Sequence, residues 1–263
     1  MPGNNDLDQL ASKAETLRRL HVGPAMLVLP NAWDAASARV FEKAGFPAIA
    51  TTSAGVALAM GYEDHQQAPP EEMIAASKRI IQAVSLPVTV DFEAGYGLAP
   101  AEVVRRLVEI GAAGLNYEDT DHAAGGLADA DRQAEKLAAL IEAGREAGVQ
   151  LVVNARTDVF VHRQGTPEEQ AAEGLRRARL YKQAGADCIY PILLSDAAVI
   201  PEFVNAAGAV NVNLRPGGQL SLQTVASLGV RRVSYAASLF RETMGSLELL
   251  TADLWTESTS LQA

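Results

Sequence analysis

The stretch Pro100-Ala101-Glu102-Val103-Val104-Arg105-Arg106-Leu107-Val108-Glu109-Ile110-Gly111-Ala112-Ala113-Gly114-Leu115-Asn116-Tyr117 decides the fold. Its first half starts with a proline, places an acid in the first turn and then runs amphipathic, which is how a helix begins and continues. It ends at Gly111 because the residue past a helix end often needs a left-handed backbone, which a Cβ penalises. A short apolar run, residues 114–117, follows at once. The same junction recurs at Gly23 before residues 26–29, Gly45 before 48–50, Gly148 before 151–153, Gly185 before 188–190, Gly208 before 210–212 and Gly229 before 232–234. An eighth junction uses Pro87, which separates the helical pattern of residues 71–84 from the run 88–90; proline cannot continue a helix but can begin a strand.

Helix starts agree with this unit. Asp34, Pro69-Pro70, Pro100 and Thr166-Pro167 stand where free helix amides need caps or prolines, and acids follow the prolines. Eight strands therefore alternate with helices. The strands read as short apolar runs buried on both faces, which points to parallel pairing. An open doubly wound sheet and a closed barrel both fit such alternation, and eight units in 263 residues favour the barrel. The expected architecture is an α/β protein, a (β/α)8 TIM barrel, forming one domain over residues 1–263. It has a leading helix from Asn4 to Leu20, and a closing helical extension from Leu239 to Trp255 with a frayed polar tail.

Composition narrows the function. The chain is 48% apolar and 21% charged, and its 22 Lys and Arg against 32 Asp and Glu give a net charge of −10. That balance disfavours nucleic acid and anionic membrane surfaces as partners. Cys188 is the one cysteine, so neither an internal disulfide nor a thiolate zinc cluster is available and a reducing compartment fits. Residues 1–20 hold no apolar core of signal-peptide length, and no apolar run is long enough to span a bilayer. The cytoplasm is the expected location.

Reactive groups of a barrel stand at the carboxyl ends of its strands, and here those ends are acidic. Asp64 lies after the second strand, Asp91 and Glu93 at the end of the third, Glu118 and Asp119 at the end of the fourth, and Arg156 and Asp158 at the end of the fifth. Strand alternation gives Asp91 and Glu93 a common direction and turns Phe92 away. Converging carboxylates repel one another unless a cation or protonation relieves them, and hard oxygen ligands select Mg2+ or Mn2+. Asp91 is the best placed to bind directly, while Arg156 offers a fork for a carboxylate. Cation and arginine together suit a small oxyanion such as a 2-oxo acid. Gly95-Tyr96-Gly97 reads as a tight turn, Cys188 as a packed thiol, and His21 and His162 as surface or interface residues. His65 and His122 fall in loops at the mouth, within reach of a proton-shuttling role.

The segments Asp91-Phe92-Glu93-Ala94-Gly95-Tyr96-Gly97, Thr51-Thr52-Ser53-Ala54-Gly55, Tyr117-Glu118-Asp119 and Asn154-Ala155-Arg156-Thr157-Asp158 resemble the isocitrate lyase/phosphoenolpyruvate mutase superfamily. The resemblance runs from about Leu29 to Phe240. It implies a Mg2+-dependent barrel acting on a 2-oxo acid or its enolate, assembled as a homodimer or homotetramer with its last helix exchanged between subunits. It implies Asp91 as the direct cation ligand with Asp64, Glu93 and Glu118 behind it. Thr52, Ser53 and Ala54 fall where the family holds the substrate carboxylate, Arg156 on the arginine that binds its oxyanion, and Asn213 on a substrate-side position.

The departures from that family pattern bear on the reaction. The family's lyases carry a Lys-Lys/Arg-Cys-Gly-His motif in the loop after the fourth strand, where this chain reads Thr120-Asp121-His122-Ala123-Ala124-Gly125-Gly126 and has no cysteine. The Lys and Asn with which the mutases handle a phosphoryl group are absent too, and Ile192 falls where lyases have a glutamate. The resulting expectation is a lyase cleaving a carbon-carbon bond of a small 2-oxo or 2-hydroxy carboxylate through an enolate, of which oxaloacetate-type decarboxylation is one form. Glu118, Arg156 and Tyr96 would be the groups nearest the chemistry, with Tyr96 or water protonating the enolate. A phosphonopyruvate hydrolase or phosphoenolpyruvate mutase, and a non-catalytic 2-oxo acid binder, are the rival expectations.

Overall fold

The computed structural model describes residues 4–260. Helix α1 (Asn4–Val22) leads into β1 (Leu27–Leu29), which continues past Pro30 as a second short strand, Asn31–Ala32. Then follow α2 (Ala35–Lys43), β2 (Ile49–Thr51), α3 (Ser53–Met60), α4 (Pro70–Gln82), β3 (Val88–Asp91), α5 (Pro100–Ile110) and β4 (Gly114–Glu118). A small antiparallel ribbon, Thr120–Asp121 with Gly126–Leu127, interrupts the rhythm before α6 (Ala130–Glu146). The remainder is β5 (Val152–Thr157), α7 (Val159–His162), α8 (Pro167–Gln183), β6 (Cys188–Pro191), α9 (Ile200–Ala207), β7 (Asn211–Asn213), α10 (Leu222–Ser227), β8 (Arg232–Ser234) and α11 (Ser238–Ser260).

Every strand of the barrel pairs in parallel with its sequence neighbour. Ala32 lies beside Thr51, Ile49 beside Val88, Thr89 beside Gly114, Leu115 beside Val153 and Asn154 beside Cys188. A bridge from Ile189 to Val210 joins β6 to the start of β7, and β8 pairs with both β7 and β1. The circle closes as a (β/α)8 barrel, and each of the eight expected strands lies in it. The caps are also as expected. Asp34 and Thr166 each close a capping box, with Ser37 and Glu169 respectively, while Pro70 and Pro100 open α4 and α5. Gly111 takes φ +86° and turns its amide back onto the Leu107 and Val108 carbonyls. Gly23 is an exception, since it is not among the residues with positive φ. The closing helix runs five residues farther than expected, to Ser260, and the remainder of the expected frayed tail lies outside the described residues. Among the described residues no helix is long and apolar enough to cross a membrane.

The strands depart from the expected apolar runs in one important way. Val88, Val90, Leu115, Val153, Val212 and Val233 belong to the apolar core between sheet and helices. Their alternate neighbours Thr89, Asp91, Asn116, Asn154, Asn211 and Arg232 line the barrel interior. The period-2 pattern of a strand is therefore present, with the apolar face outward against the helices and the polar face inward. A barrel interior is ordinarily filled with branched apolar side chains. This one is a hydrogen-bonded polar column.

Candidate active site

Asp91 ends β3 with its carboxylate already oriented. Oδ2 accepts from the Ser53 amide at 3.0 Å and the Ser53 hydroxyl at 2.9 Å, and Oδ1 accepts from Asn116 Nδ2 at 2.8 Å. Ser53 can do this because Thr52 caps α3, its hydroxyl accepting from the Gly55 amide, so the first helical amides face the mouth without an intrahelical acceptor. Ala54 follows on that turn, buried. The strand places Asp91, and the helix start next door holds it.

Glu93 reaches the mouth by a different route from the one alternation suggests. β3 stops at Asp91, and Glu93 has φ +47°, so it stands on a turn and not in register with the strand. The turn is tight: a Cβ on Gly95 would lie 2.8 Å from the Tyr117 ring. Glu93 Oε2 accepts from the Gln66 amide at 2.8 Å, and Oε1 accepts from the Tyr96 hydroxyl at 2.5 Å. Burial pushes the Glu93 carboxyl up to about 8; the Tyr96 bond works against this, while the nearby charges of Glu118, Asp91 and Asp64 add to it. Tyr96 is held against Phe92 at a ring separation of 5.1 Å, and burial and the Glu93 charge push its hydroxyl far above the usual range. Tyr96 is thus tied to Glu93. Asp64 makes itself felt through its charge on Glu93.

Glu118 ends β4 and links three elements. Its Oε2 accepts from Arg156 Nη1 at 2.8 Å, its Oε1 lies 2.8 Å from His122 Nε2, and its carbonyl accepts from Gln133 of α6. Burial raises its pKa, opposed by Arg156 and His122, and the bond to Glu118 raises that of His122. Ligand atoms of Glu93, Glu118 and His122 all lie within 4.8 Å of one another. The His122 ring is also 6.0 Å from that of His65.

Arg156, expected as a free fork, is already engaged on one edge. Nε and Nη2 bind the two oxygens of Asp158 at 2.6 and 3.1 Å, and Nη1 binds Glu118. Burial opposes its charge, but the Asp158, Glu118 and Asp91 carboxylates outweigh that and keep it protonated. Of the five N–H groups a guanidinium carries, these three bonds leave two for a ligand. Asp158 is positioned in turn by Asp119, whose Oδ1 accepts the Asp158 amide at 2.7 Å and whose Oδ2 accepts from Tyr181 at 2.7 Å and Arg177 at 3.0 Å. The consecutive acids at and just past the end of β4 divide the work: Glu118 faces the mouth, and Asp119 braces the loop against α8.

Asn213, at the end of β7, uses its carbonyl to hold the Leu193 amide at 2.8 Å. It lines a cavity of about 340 Å³ beside Leu193, Leu194, Leu214, Arg163 and Arg215. Two histidines differ from the sequence reading. His162 is half-buried and meets the Thr120 hydroxyl at 3.1 Å, and that hydroxyl also binds Asp158. His21 is 2% exposed, with Nδ1 at 2.8 Å from the Leu17 carbonyl and Nε2 facing Arg232; burial and the Arg232 and Arg18 charges, partly offset by the Leu17 bond, push it down to about 3. Cys188 is fully buried, as expected of a packed thiol. Asp158 was named among the acids at the strand ends but given no role in holding Arg156, and the asparagines of the column were not singled out from sequence. Their signal was available: polar residues at alternate positions in strands of otherwise apolar character.

The phosphoenolpyruvate phosphomutase family matches residues 17–254. The chain is 29% identical over 246 residues to 2-methylisocitrate lyase of Halalkalibacterium halodurans, covering 87% of this chain and 77% of that one. Among solved structures it is 38% identical to a Burkholderia cenocepacia protein provisionally titled a phosphonomutase, with TM-score 0.86 and coverage of 92% and 99%. It is 25% identical to 2,3-dimethylmalate lyase, with TM-score 0.82 and coverage of 94% and 88%.

Proposed function

The chain belongs to the phosphoenolpyruvate phosphomutase family, within the phosphoenolpyruvate mutase/isocitrate lyase superfamily, and from that premise we propose that it is a divalent-cation-dependent lyase. Its substrate would be a small 2-oxo or 2-hydroxy di- or tricarboxylate, cleaved through an enolate, with oxaloacetate-type decarboxylation as the form that fits best. One observation carries this reading: Glu93 and Glu118, both buried and both with raised pKa, converge with His122 beside Arg156. Carboxylates this close need a proton or a cation. An oxygen-dominated donor set fits Mg2+ or Mn2+, with Asp91, Asp64, Glu93 and Glu118 as the residues that would hold it.

When bound, such a cation supplies Lewis acidity that disperses negative charge developing on the 2-oxo oxygen. The chain's own residues do the rest. The two unused N–H groups of Arg156 and the Ala54 amide at the start of α3 receive the substrate carboxylate, while the Ser53 amide and hydroxyl stay on Asp91 and orient it beside that carboxylate. When the bond beta to the carbonyl breaks, its electron pair stays on the substrate as the enolate and carbon dioxide departs. A proton must then reach carbon. His122, on the ribbon and charged more readily because Glu118 accepts from it, is better placed to carry that proton than Tyr96, whose hydroxyl is committed to Glu93. Aldol-type cleavage would additionally need a base for an alcohol proton, and the ribbon has no cysteine to serve.

The adjoining cavity supports a substrate with a second anionic end. Arg163 and Arg215 line it and form no ion pair among the described residues, on a chain of net charge −10. Purified protein with Mg2+ tested against oxaloacetate, 2-methylisocitrate and a phosphonopyruvate is the direct assay. Pyruvate from a carboxylate substrate supports the lyase, phosphate from the phosphonate replaces it with the hydrolase or mutase reading, and saturable binding without product makes the chain a binder.

The exposed apolar side chains of α11, Leu247, Leu250, Leu254 and Trp255 among them, support a homodimer or homotetramer in which this helix packs on a second copy. Light scattering of Leu250→Ser/Leu254→Ser should then show a smaller assembly than the unmodified chain, and an unchanged mass would count against it.

A further inference from the structure

The polar column inside the barrel has a direction. Asp91, as a carboxylate, can only accept, so Asn116 must turn its Nδ2 toward it. That leaves Asn116 Oδ1 facing β5, where it accepts from Asn154 Nδ2 at 2.8 Å. Asn154 Oδ1 is then left facing inward, fully buried and without a partner among the described residues. At the other end stands Arg232 at the start of β8, 2% exposed, which can only donate. Its Nη1 meets His21 Nε2 at 3.3 Å, and its Nε has no partner among the described residues. Thr89 Oγ1 is likewise buried and without a partner among the described residues, and the Tyr190 hydroxyl is buried beside it, next to Ser234. Asn154, Arg232, Thr89 and Tyr190 all line one cavity of about 30 Å³, whose upper wall is Asp91 and Arg156.

We infer that a buried water, and not an anion, occupies this cavity and closes a one-directional relay from Arg232 through Asn154 and Asn116 to Asp91, making the two asparagines positioning residues for that carboxylate. The cavity is large enough, since one water needs only about 10–15 Å³ and two to four polar partners. The choice between water and anion follows from the order of the amides. An unpaired buried guanidinium invites a small anion, but Asn154 presents an acceptor to the same space. Reversing Asn154 would set its oxygen against that of Asn116, and reversing both would take the donor away from Asp91. The occupant must accept from Arg232 and donate to Asn154, which water does and chloride does not. Leaving such buried groups unpaired forfeits their hydration with nothing in return, so a dry cavity is the unfavourable alternative.

The positioning half of this inference rests on the proposed role of Asp91 at the cation site; the water half does not. Crystals of the unmodified protein, native and soaked in bromide, should show water within hydrogen-bond distance of Arg232 Nε and Asn154 Oδ1 and no anomalous bromide peak. A bromide peak in the cavity, or an empty cavity, overturns the assignment. Calorimetric titration with Mg2+ tests the relay. Asn154→Leu, a neutral replacement that does not touch Asp91, should weaken Mg2+ by at least about tenfold, the usual cost of losing an outer hydrogen-bond partner at a metal site. Thr157→Val removes another buried, unpartnered hydroxyl from the same strand but outside the cavity, and should bind as the unmodified protein does. Equal affinity in Asn154→Leu overturns the relay. If the unmodified protein itself fails to bind Mg2+, the cation-site reading of Asp91 falls and the crystallographic result stands alone. Should Asn154→Leu not fold, the native and bromide data still decide the occupant on which the relay depends.

Discussion

The two ends of this barrel carry opposite electrostatic strain. At the mouth, Asp91, Glu93, Glu118 and Asp158 crowd around one committed arginine, and Glu93 is pushed up to about 8. At the floor, the buried Arg232 guanidinium has, among the described residues, a neutral histidine as its only hydrogen-bonded neighbour, and that histidine is pushed down to about 3. Burial opposes charge in both places, but the remedies differ. The mouth is open and can take up a cation and a substrate. The floor is sealed by α1, whose Arg18 binds Asp187 at 2.9 Å and the Gln150 carbonyl at 2.9 Å, and it stays folded by keeping His21 unprotonated. The same penalty therefore makes a reactive site at one end and a stability determinant at the other.

Substitutions at the mouth should break the comparison most sharply. Asp91→Ala and Arg156→Gln should each lower kcat/KM for pyruvate release by about 10³-fold, the scale of losing one group that stabilises developing charge. Thermal unfolding should move far less than activity does. Turnover that survives both changes would mean that the acids of the mouth serve structure alone.

At the floor the large effect should be on acid stability. The unfolded His21 takes a proton below its ordinary value of 6.5, whereas the folded ring resists until about 3. Between those values the unfolded state binds more protons, so stability is present above pH 6.5 and is lost as pH falls toward 3, by roughly 3 kcal/mol at pH 4. His21→Gln keeps a neutral acceptor for Arg232 and removes the titration. Urea midpoints measured from pH 7 to pH 4 should then fall less steeply than in the unmodified protein.

The mouth should show the opposite slope. Folded Glu93 keeps its proton up to about 8, whereas the unfolded carboxyl releases it near 4.5, so this group's contribution to stability is present below 4.5 and fades as pH rises to 8. A cation in the site replaces that proton. Mg2+ at a hundredfold excess over its Kd should therefore stabilise the protein at pH 8 by about 2.7 kcal/mol, and by less at pH 5. Thermal shifts that are equal at the two pH values would separate Glu93 from the cation site.

Much of this was legible in the chain before any coordinates. The helix-to-strand junctions located all eight strands because turn chemistry is local, and Asp91, Glu118 and Arg156 could be placed at the ends of β3, β4 and β5 because such ends are fixed positions in a barrel. Glu93 was placed at the mouth for the wrong reason, since a backbone at φ +47° does not continue a strand's alternation. Arg156 looked free because sequence shows the acids near it but not that Asp158 folds back two residues to hold it. His21 looked like a surface or interface residue because its partner, Arg232, lies 211 positions away in the chain. The inward column escaped for a related reason. Thr89, Asn116 and Asn154 each interrupt an apolar run by one residue, and only barrel closure brings them onto one axis.

The smallest effect sharpens the comparison by asking whether the floor reaches the chemistry at all. Arg18 is half-buried and ties α1 to the segments that precede β5 and β6, far along the strands from Asp91 and Glu118. Arg18→Met keeps the aliphatic stem and loses the charge-assisted bonds, so it should cost about 1 kcal/mol by urea denaturation. Pyruvate release per folded molecule should stay within about twofold, because nothing at the mouth depends on this ion pair for its orientation. A larger fall in turnover, with stability nearly intact, would mean that strain at the floor is transmitted up the strands. The two ends would then have to be treated as one electrostatic unit.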